Sequence, residues 1–142
     1  MNSLLLTIFF LALLLEGTVT NLPLVFVSLV ILTVAMRSLF LFLLAFVSGI
    51  FLDAFALRPI GETSIFLLLC VFLILLYQRK YEINSYPFVL FASFVGSLIY
   101  LFMFGYVHAF TLAIASIVIS FLLFMVYRLQ SKNLSANGRH TV

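Results

Sequence analysis

Charge is scarce in this chain and tryptophan is missing: charged residues make up 8% of it, against a hydrophobic share of 66%. With a mean hydropathy of +1.38, a water-soluble globule of 142 residues could not hide that much apolar surface, so the composition calls for an integral membrane protein. The single cysteine, Cys70, lies in the middle of an apolar run. That leaves no intrachain disulfide, no thiolate metal cluster and no neighbour to activate the thiol. Sequence patterns that carry hydrolytic or phosphate chemistry are also missing: there is no HExxH, no G-x-S-x-G and no glycine-rich loop after a strand. The expectation is a protein that is not an enzyme and needs no cofactor or metal. None of the apolar runs alternates with period two, so the fold class is all-α, a polytopic membrane helix bundle rather than a barrel.

What is present is a series of apolar runs broken by short polar turns. The first, Leu4 to Leu15, has the length of a signal-peptide core, but Met1-Asn2-Ser3 brings no basic residue and no small-x-small cleavage site precedes Asn21. It reads as a retained span. Alone it would rise only about 18 Å, so it continues past Glu16 and Gly17 toward Val19. Thr20-Asn21-Leu22-Pro23 opens a second span that ends at Met36. From there an apolar stretch reaches Leu57, and as one helix with the second span it would be roughly 50 Å long against a hydrocarbon core of about 30 Å. A hairpin with Arg37 at the bend resolves this. Span three is then Ser38 to Leu57, span four Thr63 to Tyr77, span five Pro87 to Tyr106 and span six Ala109 to Tyr127, with a short turn at Val107-His108. Residues 1–128 form the six-span domain. The polar residues 129–142, poor in apolar content, are expected to be an unstructured cytoplasmic tail.

An even number of spans puts both termini on one side. Arg37, Arg79, Lys80, Arg128, Lys132 and Arg139 share that side and Arg58 alone falls opposite, which makes both termini cytoplasmic. The net charge of +3 is thus a topology signal, with no nucleic-acid partner expected. Tyr77, Tyr81, Tyr86 and Tyr127 read as inner interfacial anchors, and Tyr100 and Tyr106 as outer ones.

Acids, a base, glycines and a proline gather only in the stretch from Phe46 to Ser64. Ala45, Gly49 and Asp53 recur every four residues and share a helical face. The helix should stop near Arg58, because a residue before proline is pushed out of the α region, and a turn through Gly61 leads onward. Glu62 suits the first turn of the next helix, and Thr63 or Ser64 could cap it. Asp53 lies roughly 22 Å into span three, in the outer part of the bilayer. Two roles fit it: pinning the turn by pairing with Arg58 or by accepting from the Gly61–Ser64 amides, or meeting a partner or an ion path. Glu16 and His108 fall at the same end, so Glu16, Asp53, Arg58, Glu62 and His108 form a conceivable cluster. Small residues at four-residue spacing (Ala45 and Gly49; Ala92 and Gly96; Ala109 and Ala113; Ser116 and Ser120) favour close helix packing, within the bundle or against another membrane protein.

Read as Gly49-x-x-x-Asp53-x-x-x-x-x-Pro59-x-Gly61 at the end of a third span, this stretch resembles the bacterial rod shape-determining protein MreD family. Pro23 opening the second span and the basic loop at Arg79-Lys80 fit the same pattern, over about Leu4 to Tyr86. Arg58 stands where a small residue is more usual, and Glu62 follows the glycine. The resemblance implies a non-enzymatic scaffold of the bacterial inner membrane in the peptidoglycan-synthesis machinery of cell elongation. It would bind an MreC-like periplasmic partner and, indirectly, an MreB-like cytoskeleton and wall synthases, with Gly49, Asp53, Arg58, Pro59 and Gly61 as the partner-binding or outer-turn motif. No small-molecule substrate is expected. The alternative is the substrate-binding S subunit of an energy-coupling-factor vitamin transporter, another six-span bundle. Those subunits carry a small-x-x-x-small pair on the first span, whereas Leu4–Leu15 has only Ala12.

Overall fold

A computed structural model of the chain describes residues 3–18, 22–36, 38–81 and 86–137. It contains six helices: α1 (Ser3–Thr18), α2 (Leu24–Met36), α3 (Phe40–Phe55), α4 (Glu62–Lys80), α5 (Tyr86–Met103) and α6 (Ala109–Asn137). Helices α4, α5 and α6 are each long and apolar enough to cross a membrane, whereas α1, α2 and α3 are shorter apolar helices. The Arg37 bend lies outside the described residues.

Helix α2 is the axis of the bundle. Every residue from Val25 to Val34 is buried, because α1, α3, α4, α5 and α6 all pack on it. A helix that is apolar on all sides suits either a protein interior or lipid, and here the neighbouring helices enclose it. The other helices turn one face inward and leave Leu, Phe and Val exposed on the opposite one, among them Phe10, Leu43, Leu69, Phe91 and Val118. That apolar outer surface is what lipid contact requires and what water would penalise.

Consecutive helices pair as hairpins, with α3 against α4 and α5 against α6 in the most extensive contacts. Glycine tightens the α3–α4 seam and the contact of α5 with α2, and serine the α5–α6 seam. At Gly49 a β-carbon would lie 2.4 Å from the Ser64 Cα, and at Gly96 one would lie 2.0 Å from the Phe26 ring of α2. Along α5 and α6 the Ser93 and Ser120 hydroxyls meet at 2.8 Å, and Ala113, Ser97 and Ser116 are buried in the bundle. The small residues picked out by their spacing thus pack mainly inside the molecule.

Several boundaries differ from the sequence reading: α3 runs from Phe40 to Phe55 rather than from Ser38 to Leu57, α4 continues to Lys80 rather than Tyr77, and the ends of α5 and α6 differ for identifiable local reasons. Helix α5 stops at Met103 rather than Tyr106, since Gly105 takes a positive φ of 70°. The Gly105 N–H donates to the Phe102 carbonyl and the Tyr106 N–H to the Leu101 carbonyl, a Schellman ending that satisfies the last turn. The unstructured tail expected from residue 129 is instead helical as far as Asn137. Propagating an existing helix carries no nucleation cost, and Leu129, Gln130, Lys132, Leu134 and Ala136 are good helix formers with no proline or glycine before Gly138. Residues 138–142 lie outside the described residues.

Candidate functional site

The end of the bundle where α3 hands over to α4 is built around Asp53, which is fully buried. Its Oδ2 accepts the Gly61 N–H at 2.8 Å, both oxygens lie 3.2 Å from the Thr63 N–H, and Oδ1 accepts the Thr63 hydroxyl in a short hydrogen bond. Its backbone carbonyl accepts the Arg58 N–H at 3.0 Å. One residue therefore closes α3 through its main chain and opens α4 through its side chain. Gly61 is the N-cap of α4 and holds φ at 107°, a conformation costly for any side chain, and it makes no side-chain cap bond of its own. Asp53 supplies that cap from the neighbouring helix, at the positive dipole end of α4.

Of the two pinning arrangements open to Asp53, the structure adopts the amide one. Arg58 does not pair with it. The guanidinium donates to the Tyr106 hydroxyl at 2.7 Å and lies 4.0 Å from the Phe104 ring centroid, so it ties the α3–α4 turn to the α5–α6 turn. Nor does either hydroxyl cap α4: Thr63 donates to Asp53, and Ser64 Oγ donates to the Phe46 carbonyl of α3 at 3.1 Å.

Glu16, at the end of α1, belongs to the same layer. Its Oε2 accepts the Val25 N–H at 2.6 Å, and so sits at the positive end of α2, while its Oε1 accepts the Tyr100 hydroxyl at 3.3 Å. Arg58 is within Coulombic reach of both Glu16 and Tyr100. The structure thus joins Glu16 and Arg58 through Tyr100 and holds Asp53 beside them in the α3–α4 turn. Glu62 and His108 remain exposed and separate; His108 contributes its carbonyl, which accepts the Leu112 N–H and the Thr111 hydroxyl. Tyr100, which reads from sequence as an interfacial anchor, is 4% exposed and belongs to the interior. Tyr100, Tyr106 and Phe104 were the site residues missed by sequence reasoning, which had Thr63 among the amide donors to Asp53 but not its hydroxyl bond. The only signal for the tyrosines was their placement at the same end as Glu16 and Arg58.

The turn supported by this layer has apolar tips. Leu57 is 95% exposed and Ile60 76% exposed, with Val107 of the neighbouring turn at 92%. Leu57 also carries a positive φ of 52°, because it occupies the position after the end of α3 that glycine usually fills. Pro59, exposed between these two tips, keeps the chain out of the helix there.

Chemically the layer is self-satisfied: each carboxyl is met by amide or hydroxyl donors. Among the described residues no group of three or more histidine, cysteine or acidic side chains is placed to hold a metal ion. Comparison with family models, curated proteins and solved structures gives no match.

Proposed function

We propose that the chain is a non-catalytic, six-span scaffold of the bacterial inner membrane, with both termini cytoplasmic. It would serve the cell-elongation machinery in the manner of the MreD family that the Gly49, Asp53, Pro59 and Gly61 pattern resembles. The observation that carries this reading is the rigid outer turn presenting Leu57 and Ile60. Buried polar groups are spent on holding the turn still, and what the turn offers is an apolar surface suited to a protein partner rather than a polar pocket suited to a substrate. In this reading α1, α2 and α3 also span, short as they are, within a bundle whose longer helices set the bilayer position. Arg79, Lys80, Arg128 and Lys132 gather at the other end, as cytoplasmic residues should.

A periplasmic partner of the MreC kind would meet Leu57 and Ile60. Leu57→Asp combined with Ile60→Asp is expected to abolish co-purification of the wall-elongation partner at unchanged membrane levels of the protein. Aspartate tolerates the left-handed conformation at position 57 better than leucine, so folding should not suffer. A complex that survives both substitutions, or a stoichiometric vitamin found on the native protein by mass spectrometry, would count against the proposal.

The topology has its own test. A reporter active only in the cytoplasm should work when fused after Val142 or inserted at Asn84, and should stay silent at Arg58 and His108. Activity at Arg58 would exclude the six-span arrangement.

A further inference from the structure

At the end of the bundle opposite Asp53, a cleft of about 540 Å³ opens between the start of α3 and the end of α4. Its walls change character along their length. Phe42, Phe72 and Leu76 make an apolar wall, while Ser38, Gln78 and Arg79 bring polar groups where the two helices end. Gln78 is 8% exposed. Its Nε2 donates to the Thr33 carbonyl of α2 at 3.2 Å, which leaves Oε1 a buried acceptor without a donor. Ser97 Oγ and Gln130 Oε1 also lack a partner, but Gln78 alone of the three lines this cleft, and its orphaned acceptor marks a position where a donor is wanted. Arg79 makes no hydrogen bond or ion pair with the described residues, and its guanidinium stands at the exposed rim. The Ser38 oxygen already accepts the Phe40 N–H, so its hydroxyl proton remains available to a ligand, beside the positive end of α3.

We infer that this cleft is a binding site for an anionic glycerophospholipid whose headgroup carries a free hydroxyl. Arg79 and the Ser38 hydroxyl take the phosphate, a guanidinium and an O–H donor being matched to its oxygens. The headgroup hydroxyl donates to Gln78 Oε1, and the acyl chains follow Phe42, Phe72 and Leu76 toward the bilayer centre. The assignment rests on the membrane placement proposed above, with this end at the cytoplasmic leaflet, but not on the elongation role. A soluble phosphate compound would use the polar groups and leave the apolar wall bare, which is why the lipid is the better fit.

Native mass spectrometry of the full chain, titrated with phosphatidylglycerol or phosphatidylcholine of identical acyl chains, tests it. One phosphatidylglycerol should bind about tenfold more tightly than phosphatidylcholine: both bring the phosphate, but only phosphatidylglycerol brings a hydroxyl donor for Gln78, and only phosphatidylcholine brings a quaternary cation for Arg79 to repel. Arg79→Gln should weaken both lipids and diminish that preference, since the repulsion of the choline cation goes with the guanidinium. Gln78→Leu should reduce it, with the melting temperature followed to account for the lost bond to Thr33. Lys132→Gln, which removes a cation of the same end outside the cleft, should leave it unchanged. Equal retention of both lipids by the unaltered protein, an undiminished preference in Arg79→Gln, or an equal loss in Lys132→Gln would overturn the site. Inorganic phosphate or glycerol phosphate displacing the lipid at comparable concentration would overturn its assignment to a lipid. None of these outcomes depends on a protein partner, so the site and the scaffold reading fail separately.

Discussion

Gly49→Ala is expected to destabilise the protein clearly, although alanine is the better helix former. The added methyl would lie 2.4 Å from Ser64 Cα and 2.6 Å from Ser64 N, and the backbone of α4 cannot turn aside as a side chain could. Carbon atoms in contact sit near 3.5–4.0 Å, so α3 and α4 would have to part by about 1 Å or more along their seam. Overpacking of this kind costs about 1–3 kcal/mol and more where backbone is involved, against roughly 1 kcal/mol recovered from helix propensity. A fall of several degrees in the melting temperature of the detergent-purified protein should follow, and Gly49→Leu should yield almost no folded protein. Ser64→Ala should not rescue Gly49→Ala, because the obstructing Cα and N remain. Gly17→Ala makes the contrasting control: its methyl would meet only the Phe55 ring at 3.0 Å, and that ring is 49% exposed and free to move. A Gly49→Ala protein as stable as the unaltered one would show that the two helices do not cross this closely.

Asp53→Ala and Asp53→Asn should differ sharply. Alanine would strand the Gly61 N–H, the Thr63 N–H and the Thr63 hydroxyl where Asp53 is now fully buried. Each unpaired buried donor costs about 1–3 kcal/mol, so even with some water entering at the turn a loss of about 3 kcal/mol is expected. Asparagine can place its oxygen where Oδ2 accepts the two amides and its NH2 where Oδ1 meets Thr63, whose hydroxyl can rotate to accept. Only charge assistance is then lost, about 1 kcal/mol. Thermal melting of the two variants beside the unaltered protein gives the ranking, and equal damage from both would show that charge rather than bond count holds the turn. Membrane levels of Asp53→Asn should be normal, with partner co-purification kept. If the complex is lost while the protein remains folded, Asp53 contacts the partner itself and is not simply a support for Leu57 and Ile60.

The number and order of the helices follow from local chemistry and are legible in the residues alone. Apolar runs interrupted at Asn21, Pro59 and Pro87 leave few other places for turns, and Ala45, Gly49 and Asp53 fall on one face whatever packs there. Helix ends are less legible. The stop at Met103 depends on Gly105 taking a left-handed conformation, and the continuation of α6 to Asn137 depends on growth from a helix already formed. The partners of the charged residues are not legible at all, because hydrogen bonds between helices depend on which ones become neighbours. Proximity along the chain suggests Arg58 for Asp53, yet the fold gives Asp53 the amides of α4 and sends Arg58 to Tyr106, 48 positions away in sequence. Likewise Tyr100 reads as a membrane-surface anchor until the packing of α1, α2 and α5 brings the half-buried Glu16 to its hydroxyl and closes the tyrosine off from the surface. Composition and periodicity determined that this chain is a bundle of apolar helices. Tertiary structure decided which helix is enclosed, which acid caps which helix, and that the polar residues at the Asp53 end brace a turn, since a buried polar group takes its partner from whatever donor the packing leaves within reach.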